Sequence, residues 1–356
     1  MGVSAIAASV TSIALLKNNE SQSAPEKKKV LIVGAGTAGI SVSAALVKEP
    51  NVEVTVIEPS QTHYYQPLWT MVGAGLKQNT QSARPMSKMI SSKVNWVQQS
   101  VTSIAPGSNT VTLGDGQKLT YDYLVVAPGI VPKWDAIEGV KDSVGKPGSG
   151  VVSIYDYNHC KATAEAIQDF KGGRALFTQP SSPIKCAGAP QKIMWMFEEK
   201  MRDLGLRAKT SVEMWSGGPA LFGVKKYADL LWKEQAARDV KVNLKQELVK
   251  VDAAKKIATF KNLDDGTLSQ QPYDLLHVVP PMVPPAFIAQ SGLAAAGGWM
   301  DVDKYTLQST KYNNVFGLGD ATNTPNGKTA AAVLSQSPVI VHNLKRAIKG
   351  EGAPGK

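Results

Sequence analysis

A short apolar run, Val30-Leu31-Ile32-Val33, leads directly into Gly34-Ala35-Gly36-Thr37-Ala38-Gly39. Few patterns leave a chain so little choice. A continuous apolar run bounded by glycine reads as a buried strand. The stretch from Ile40 to Val47 then reads as a helix, and Val52–Glu58 as a second strand. Strand, glycine turn, helix and strand together open a doubly wound parallel sheet. Each glycine has a physical task. Gly34 makes the tight turn, Gly36 lets backbone N–H groups approach a diphosphate, and Gly39 lets helix and strand pack closely. The helix start adds unpaired N–H donors and a partial positive charge. Glu58, closing the second strand, can accept hydrogen bonds from a ribose. The pattern predicts a dinucleotide site; the bland alternative is a tight glycine turn in a ligand-free α/β protein.

The rest of the chain repeats the theme. Val94–Ser103 reads as another strand, and Thr110–Leu113 with Lys118–Tyr121, around Gly114-Asp115-Gly116, as a hairpin. Leu124–Ala127 reads as a further buried strand. A Gly/Pro-rich connection from Gly129 to Gly150 marks a boundary. Beyond it come a helix over Asp156–Phe170, a strand over Ala175–Thr178, a helix over Pro190–Leu204 and a strand over Thr210–Trp215. Strands near Val242–Leu248, Ile257–Phe260 and Leu275–Val279 follow. Val315–Asp320 and a helix over Thr329–Lys349 close the chain. The fold class this implies is α/β, with two dinucleotide-fold domains and the second inserted in the first. The predicted division is a leader over residues 1–28, a first domain over 29–150 plus 285–350, and a second over 151–284.

Composition bounds the function. The 356 residues carry 39 basic and 29 acidic side chains, a net charge of +10, and 43% are hydrophobic. This is a globular balance long enough for about two domains. The basic residues are spread out, with one dense run at Lys27–Lys29, which argues against nucleic-acid binding. Two cysteines, Cys160 and Cys186, exclude a disulfide scaffold, and four scattered histidines show no metal-ligand spacing, so no metal is expected. No stretch of about 18 residues is apolar enough to span a bilayer. The stretch from Gly2 to Leu16 reads as a cleaved or disordered leader without the Arg of an organelle transit peptide.

Two later segments choose between dinucleotides. Val315-Phe-Gly-Leu-Gly319-Asp320 resembles the second FAD fingerprint of two-dinucleotide-domain flavoproteins, where the Asp holds the ribityl chain. Leu124-Val-Val-Ala-Pro-Gly129 resembles another short strand of the same proteins. The second domain lacks the matching glycine loop. Arg174–Thr178 runs into Gln179-Pro180-Ser181-Ser182-Pro183, with no glycine and two prolines that remove backbone donors. NADH is therefore not the expected electron donor. The same loop carries Lys185-Cys186, just before a helix beginning near Pro190. A thiol beside a lysine and near a helix N-terminus is expected to have a lowered pKa and a sizeable thiolate fraction, the species that attacks sulfur or adds to a flavin. Cys160 has no such setting and reads as structural.

At this point the chain resembles the mitochondrial-type sulfide:quinone oxidoreductases. The resemblance is carried by Val30–Gly39, His63-Tyr-Tyr-Gln66-Pro-Leu-Trp69, Val72–Gly75, Pro183–Ile193, Phe222–Asp229, His277–Met282 and Gly317–Val333. It implies FAD, a sulfide donor, a ubiquinone-type acceptor, a small thiol or other nucleophile that takes the sulfane sulfur, and peripheral attachment to the mitochondrial inner membrane. By motif, Thr37, Ala38, Glu58, Gln66, Val101, Asp320 and Lys328 would hold FAD, beside Gly34, Gly36, Gly39, Gly129 and Gly319 of the glycine loop and the two later segments, and Ala330 of the Gly317–Val333 stretch. Cys186 would carry the sulfur. His277 and the Pro280-Pro281-Met282 loop would border flavin and quinone, or His277 is a satisfied core residue. The family pairs its cysteine with a second one, in a segment that begins about where this sequence stops. The expectation is therefore either a truncated chain or a divergent one-cysteine mechanism. The resulting function is FAD-dependent oxidation of hydrogen sulfide to sulfane sulfur with electrons passed to a quinone. The alternatives are an NADH-fed quinone reductase, or a flavin-binding relative without full turnover.

Overall fold

The computed structural model describes residues 27–351, so the leader expected over 1–28 lies almost wholly outside the described residues. The apolar run becomes strand β1 (Lys28–Val33), followed by helix α1 (Thr37–Leu46) and strand β2 (Val52–Ile57). Strands β3 (Asn95–Val97) and β4 (Tyr123–Val126) extend the sheet on opposite sides. Every pairing in it is parallel, with Val33 opposite both Ile57 and Val126. Parallel strands buried on both faces need unbroken apolar runs, and Val30, Leu31, Ile32 and Val33 are all buried. β1 lies between β2 and β4, so the chain reverses its direction of travel at the carboxyl end of β1. Such a switch point is where open α/β sheets leave a crevice.

The second sheet has the same plan. It contains β5 (Val151–Val152), β6 (Gly173–Gln179), β7 (Thr210–Ser216), β8 (Val240–Leu244) and β9 (Leu275–His277), in the order β5-β9-β6-β7-β8 and all parallel. Helices α2 (Tyr157–Asp169) and α3 (Ala189–Asp203) pack on one face, burying Phe177, Ile193, Met194 and Phe197. The other face is closed by a three-stranded antiparallel sheet over Gln246–Pro272, with Trp215 stacked on Phe260. After β9 the chain returns to the first sheet, where β10 (Val315–Gly317) pairs with β4. Helix α5 (Ala330–Ile348) then packs beside α1.

Three sequence expectations change here. The strand read near Val242–Leu248 is two, broken at Lys245 with φ +57°, and its halves belong to different sheets. The single strand read over Val94–Ser103 is two. β3 ends at Val97, a tight turn closes with Gln99 N–H donating to Val97 O (2.9 Å), and Val101–Ala105 starts a separate antiparallel sheet with the hairpin. The polar pair Gln98-Gln99 breaks the apolar run at that turn. Helix α4 (Lys225–Ala237) was not anticipated. It buries only Ala228 and Gln235, and its apolar residues Tyr227, Leu230 and Trp232 stay exposed.

Candidate active site

The carboxyl ends of β1 and β4 open into a cavity of about 650 Å³. Gly34 sits there at φ +95°, and a Cβ on it would fall 2.5 Å from Ala127 O. A Cβ on Gly39 would fall 1.8 Å from Gly34 O. These two glycines let α1 start flush against the turn. Nothing lies within 4 Å of where a Cβ on Gly36 would be, because Gly36 faces the open space. No side chain caps α1, so its first N–H groups are free to meet an anion in the cavity. Glu58 braces the loop. Its Oε2 accepts the Ala35 N–H at 2.9 Å and its Oε1 accepts the Ser60 N–H at 2.8 Å.

Most residues singled out from the sequence converge on this space. Gly36, Thr37, Ala38, Glu58, Gln66, Gly129, Cys186, Gly319, Asp320, Lys328 and Ala330 line it. Gly34 and Gly39 shape it from behind. Val101 is not among its lining residues; it opens the separate hairpin sheet and packs on the first core.

Opposite the glycine loop stands a charged group. Burial raises the Asp320 carboxyl above its ordinary value, and Lys185 and Lys328 partly offset that. Burial likewise lowers the Lys328 ammonium to about 8, opposed by Asp320. Lys328 Nζ donates to Thr322 O at 2.8 Å and stands 3.8 Å from the centre of the Trp299 ring, a cation–π contact. Burial lowers Lys185 to about 8, opposed by Asp320 and Asp156, with its Nζ 5.2 Å from the Trp69 ring. Gln336 fixes the turn before Asp320 by accepting the Gly319 N–H at 2.9 Å.

Cys186 occupies the rim between the two sheets' loops. The sequence placed Lys185 beside it, but the Lys185 side chain turns toward Trp69 and the acids. The cation next to the sulfur is Lys192, one turn into α3, with Nζ 3.8 Å from Sγ. No helical spacing announces this pair, since the two stand six positions apart and Cys186 lies ahead of the helix. Cys160 is fully buried. Its Sγ donates to Tyr157 O and burial pushes its thiol up to about 12, so it stays a neutral core group.

The loop after β6 explains the missing glycines. Its Ser181 N–H is already used by the Glu247 carboxylate at 2.8 Å. A Cβ on Gly217, at the end of the neighbouring strand, would fall 2.6 Å from the same nitrogen. The place where a second diphosphate would need room and donors is filled by backbone and by a negative charge. His277, fully buried, is lowered by burial to about 3 and is neutral; its Nε2 accepts the Ile154 N–H at 3.2 Å. It does not line the cavity. Among the described residues no helix is long and apolar enough to cross a membrane.

Comparison with known proteins adds a chemical class to this geometry. Residues 28–162 match the pyridine nucleotide-disulphide oxidoreductase family. The chain is 41% identical over 342 residues to "Sulfide:quinone oxidoreductase, mitochondrial" of Schizosaccharomyces pombe, covering 91% of this chain and 74% of that protein. It is 42% identical over 325 residues to the protein of the same name in Mus musculus, covering 91% of this chain and 72% of the other. The X-ray structure of the sulfide:quinone oxidoreductase from Aquifex aeolicus matches with a TM-score of 0.78 at 21% identity, over 91% of this chain and 77% of that one, a likeness of fold.

Proposed function

The chain belongs to the sulfide:quinone oxidoreductases, and from that membership we propose how its cavity works. It is a mitochondrial flavoprotein enzyme that oxidises sulfide and passes the electrons to a quinone. We assign the flavin as FAD, Cys186 as the sulfur-carrying group, and the inner-membrane surface as its place of work. The observation that carries the assignment is one of position. Cys186 lines the same cavity as the uncapped start of α1 and as Asp320 and Lys328.

The residues present fit the cofactor. The open face of Gly36 and the free N–H groups of Thr37 and Ala38 suit a diphosphate. Glu58 suits a ribose, with Gln66 and Gly129 on the walls. Asp320 suits the hydroxyls of a ribityl chain, and the ammonium of Lys328 suits an electron-rich ring system. Bound there, the flavin supplies the two-electron carrier between sulfur and quinone.

The chain's own part is to handle sulfur. The net step joins hydrosulfide to the Cys186 thiolate. An S–S bond forms, one proton leaves, and the quinone is the net oxidant, taking up the two electrons with two protons to become quinol. Cys186 is left as a persulfide. Lys192, 3.8 Å from Sγ, supplies positive charge where two anionic sulfurs must meet. A small nucleophile such as a thiol then attacks the outer sulfur, forms a new S–S bond and restores the Cys186 thiolate. The NADH-fed reading is disfavoured by the loop after β6, where Glu247 already occupies the Ser181 N–H.

The test is Cys186→Ser. Its purified protein is expected to stay yellow and to lose bleaching by sulfide under anaerobic conditions. Undiminished bleaching would remove Cys186 from the mechanism.

A further inference from the structure

Cys186 has an unusual backbone. Its φ is +48°, in the left-handed region. A side chain other than glycine is costly there, by roughly 1–2 kcal/mol, and persists only where the surroundings hold it. Three contacts do so. The Cys186 N–H donates to Lys328 O at 2.7 Å, and its carbonyl accepts the Ala189 N–H at 2.8 Å. The same carbonyl accepts the Tyr155 hydroxyl at 3.3 Å. The first two are backbone contacts that many sequences could make. The third comes from one side chain.

Tyr155 is 4% exposed. Burial keeps its phenol well above its ordinary pKa, with the neighbouring Cys186 adding to the effect, so the hydroxyl remains a donor. It follows β5, and its position is set from the next strand: His277 Nε2, in β9, holds the Ile154 N–H just before it. The segment after β9 braces the same loop from the other side, since Met282 Sδ accepts the Lys185 N–H at 3.3 Å. His277 and Met282 thus act on the cysteine loop without touching the cavity's centre.

We propose that Tyr155 is a positioning residue for Cys186. Its hydroxyl, hydrogen-bonded to the Cys186 carbonyl, locks the cysteine in its left-handed conformation so that the sulfur stays at the cavity rim beside Lys192. This rests on the reading of Cys186 as the sulfur carrier.

The experiment uses the full-length flavoprotein and Tyr155→Phe, which removes one oxygen and leaves the carbonyl its Ala189 N–H partner. Amide exchange is followed by mass spectrometry on a peptide spanning 184–189. It is expected to quicken roughly threefold to tenfold, the ratio given by one neutral hydrogen bond. Exchange in α2 and β6 stays unchanged. In steady state kcat with sulfide falls by a similar factor, and KM for the quinone does not move. Unchanged exchange and unchanged kcat would overturn the proposal. So would a Tyr155→Phe protein that loses its flavin, because Tyr155 itself lines the cavity and the hydroxyl would then belong to cofactor binding, or one that loses its cooperative melting, which would assign the hydroxyl to the fold. The exchange measurement does not depend on the chemistry: a Cys186→Ser protein that still bleaches with sulfide would sink the reading of the cysteine and leave the exchange result standing.

Discussion

Replacing Gly39 by alanine tests the geometry of the cofactor loop, and Gly36→Ala serves as its partner. The two methyl groups meet opposite surroundings. At Gly39 the new Cβ would stand 1.8 Å from Gly34 O, with Ile32 Cγ2 at 3.4 Å behind it. The turn and the first turn of α1 must separate by about 1 Å or more to relieve that contact. The oxygen belongs to backbone, and Gly34 is itself pinned, with its N–H donating to Ile57 O at 2.9 Å. Relief therefore moves α1 and its free N–H groups away from where a diphosphate would sit. Loss of two charge-assisted hydrogen bonds costs about 3 kcal/mol or more, a hundredfold or more in flavin affinity. Strain in the packed unit adds about 1–3 kcal/mol against folding. At Gly36 nothing lies within 4 Å of the added methyl, so the flavin-free chain keeps its Tm and the penalty falls on binding alone. The assay is the ratio of flavin to protein absorbance in purified material, with a melting curve for each flavin-free variant. A Gly39→Ala protein with full flavin and unchanged Tm would refute the reasoning, as would a Gly36→Ala protein that binds flavin like the parent.

Three other outcomes follow from the charged groups. Glu198 is fully buried, and burial pushes its carboxyl up, but Arg238, Arg202 and Arg207 outweigh this and hold it below the ordinary value. Glu198→Ala removes the shared partner of three arginines, but Arg238 keeps Glu199 at 2.7 Å and Arg207 keeps the Thr210 carbonyl at 2.8 Å, so it should cost about 1–3 kcal/mol and lower Tm by a few degrees. Glu199→Ala, one residue away and exposed, should cost less than about 1 kcal/mol; equal shifts in calorimetry would contradict this. Because the Glu198 pKa is depressed, its contribution is present above 4.5 and is lost as pH falls through the lower folded value. Lys185 has the reverse sense of shift for a base: folded it releases its proton near 8, unfolded near 10.5. The flavin-free chain should gain stability between those pH values, and Lys185→Met should flatten the rise in Tm from pH 7.5 to 9.5; an unaltered slope would count against it. Finally, anaerobic NADH should leave the flavin absorbance unchanged over minutes, and bleaching within mixing time would reverse the reading of the loop after β6.

Much of this architecture was legible in the sequence for identifiable reasons. The first β–turn–α unit is local, and its glycines are dictated by contacts within a few residues, so Gly34, Gly36 and Gly39 announce themselves. The tail segment around Asp320 was legible through its resemblance to a fingerprint. What escaped was made by tertiary contact. Trp299 under Lys328, Tyr155 on the Cys186 carbonyl and Glu247 on the Ser181 N–H join residues far apart in sequence. No period or spacing encodes such pairs. The reading of Lys185 as the cysteine's cation failed for a related reason. Adjacent residues on an irregular loop point apart, whereas Lys192, six positions on, is returned to the sulfur by the first turn of α3.

The two sheets also show how one plan yields two different sites. Each has a strand that ends in a loop and leads to a helix start, β1 into α1 and β6 into α3. In the first the loop is glycine and no side chain caps the helix that follows. In the second the prolines remove donors and Glu247 consumes one that remains. A helix N-terminus without a diphosphate still offers positive potential, and here the chain places Cys186 three residues ahead of it, with Lys192 in its first turn. The cysteine faces the first sheet's cavity because its N–H is held by Lys328 O, across from the Asp320 turn. The second unit thus brings Cys186 to the first unit's cavity, which on the proposed reading is where sulfur meets the cofactor. Replacing Glu247 alone should not create an NADH site, because the loop would still lack the glycines that let a diphosphate approach.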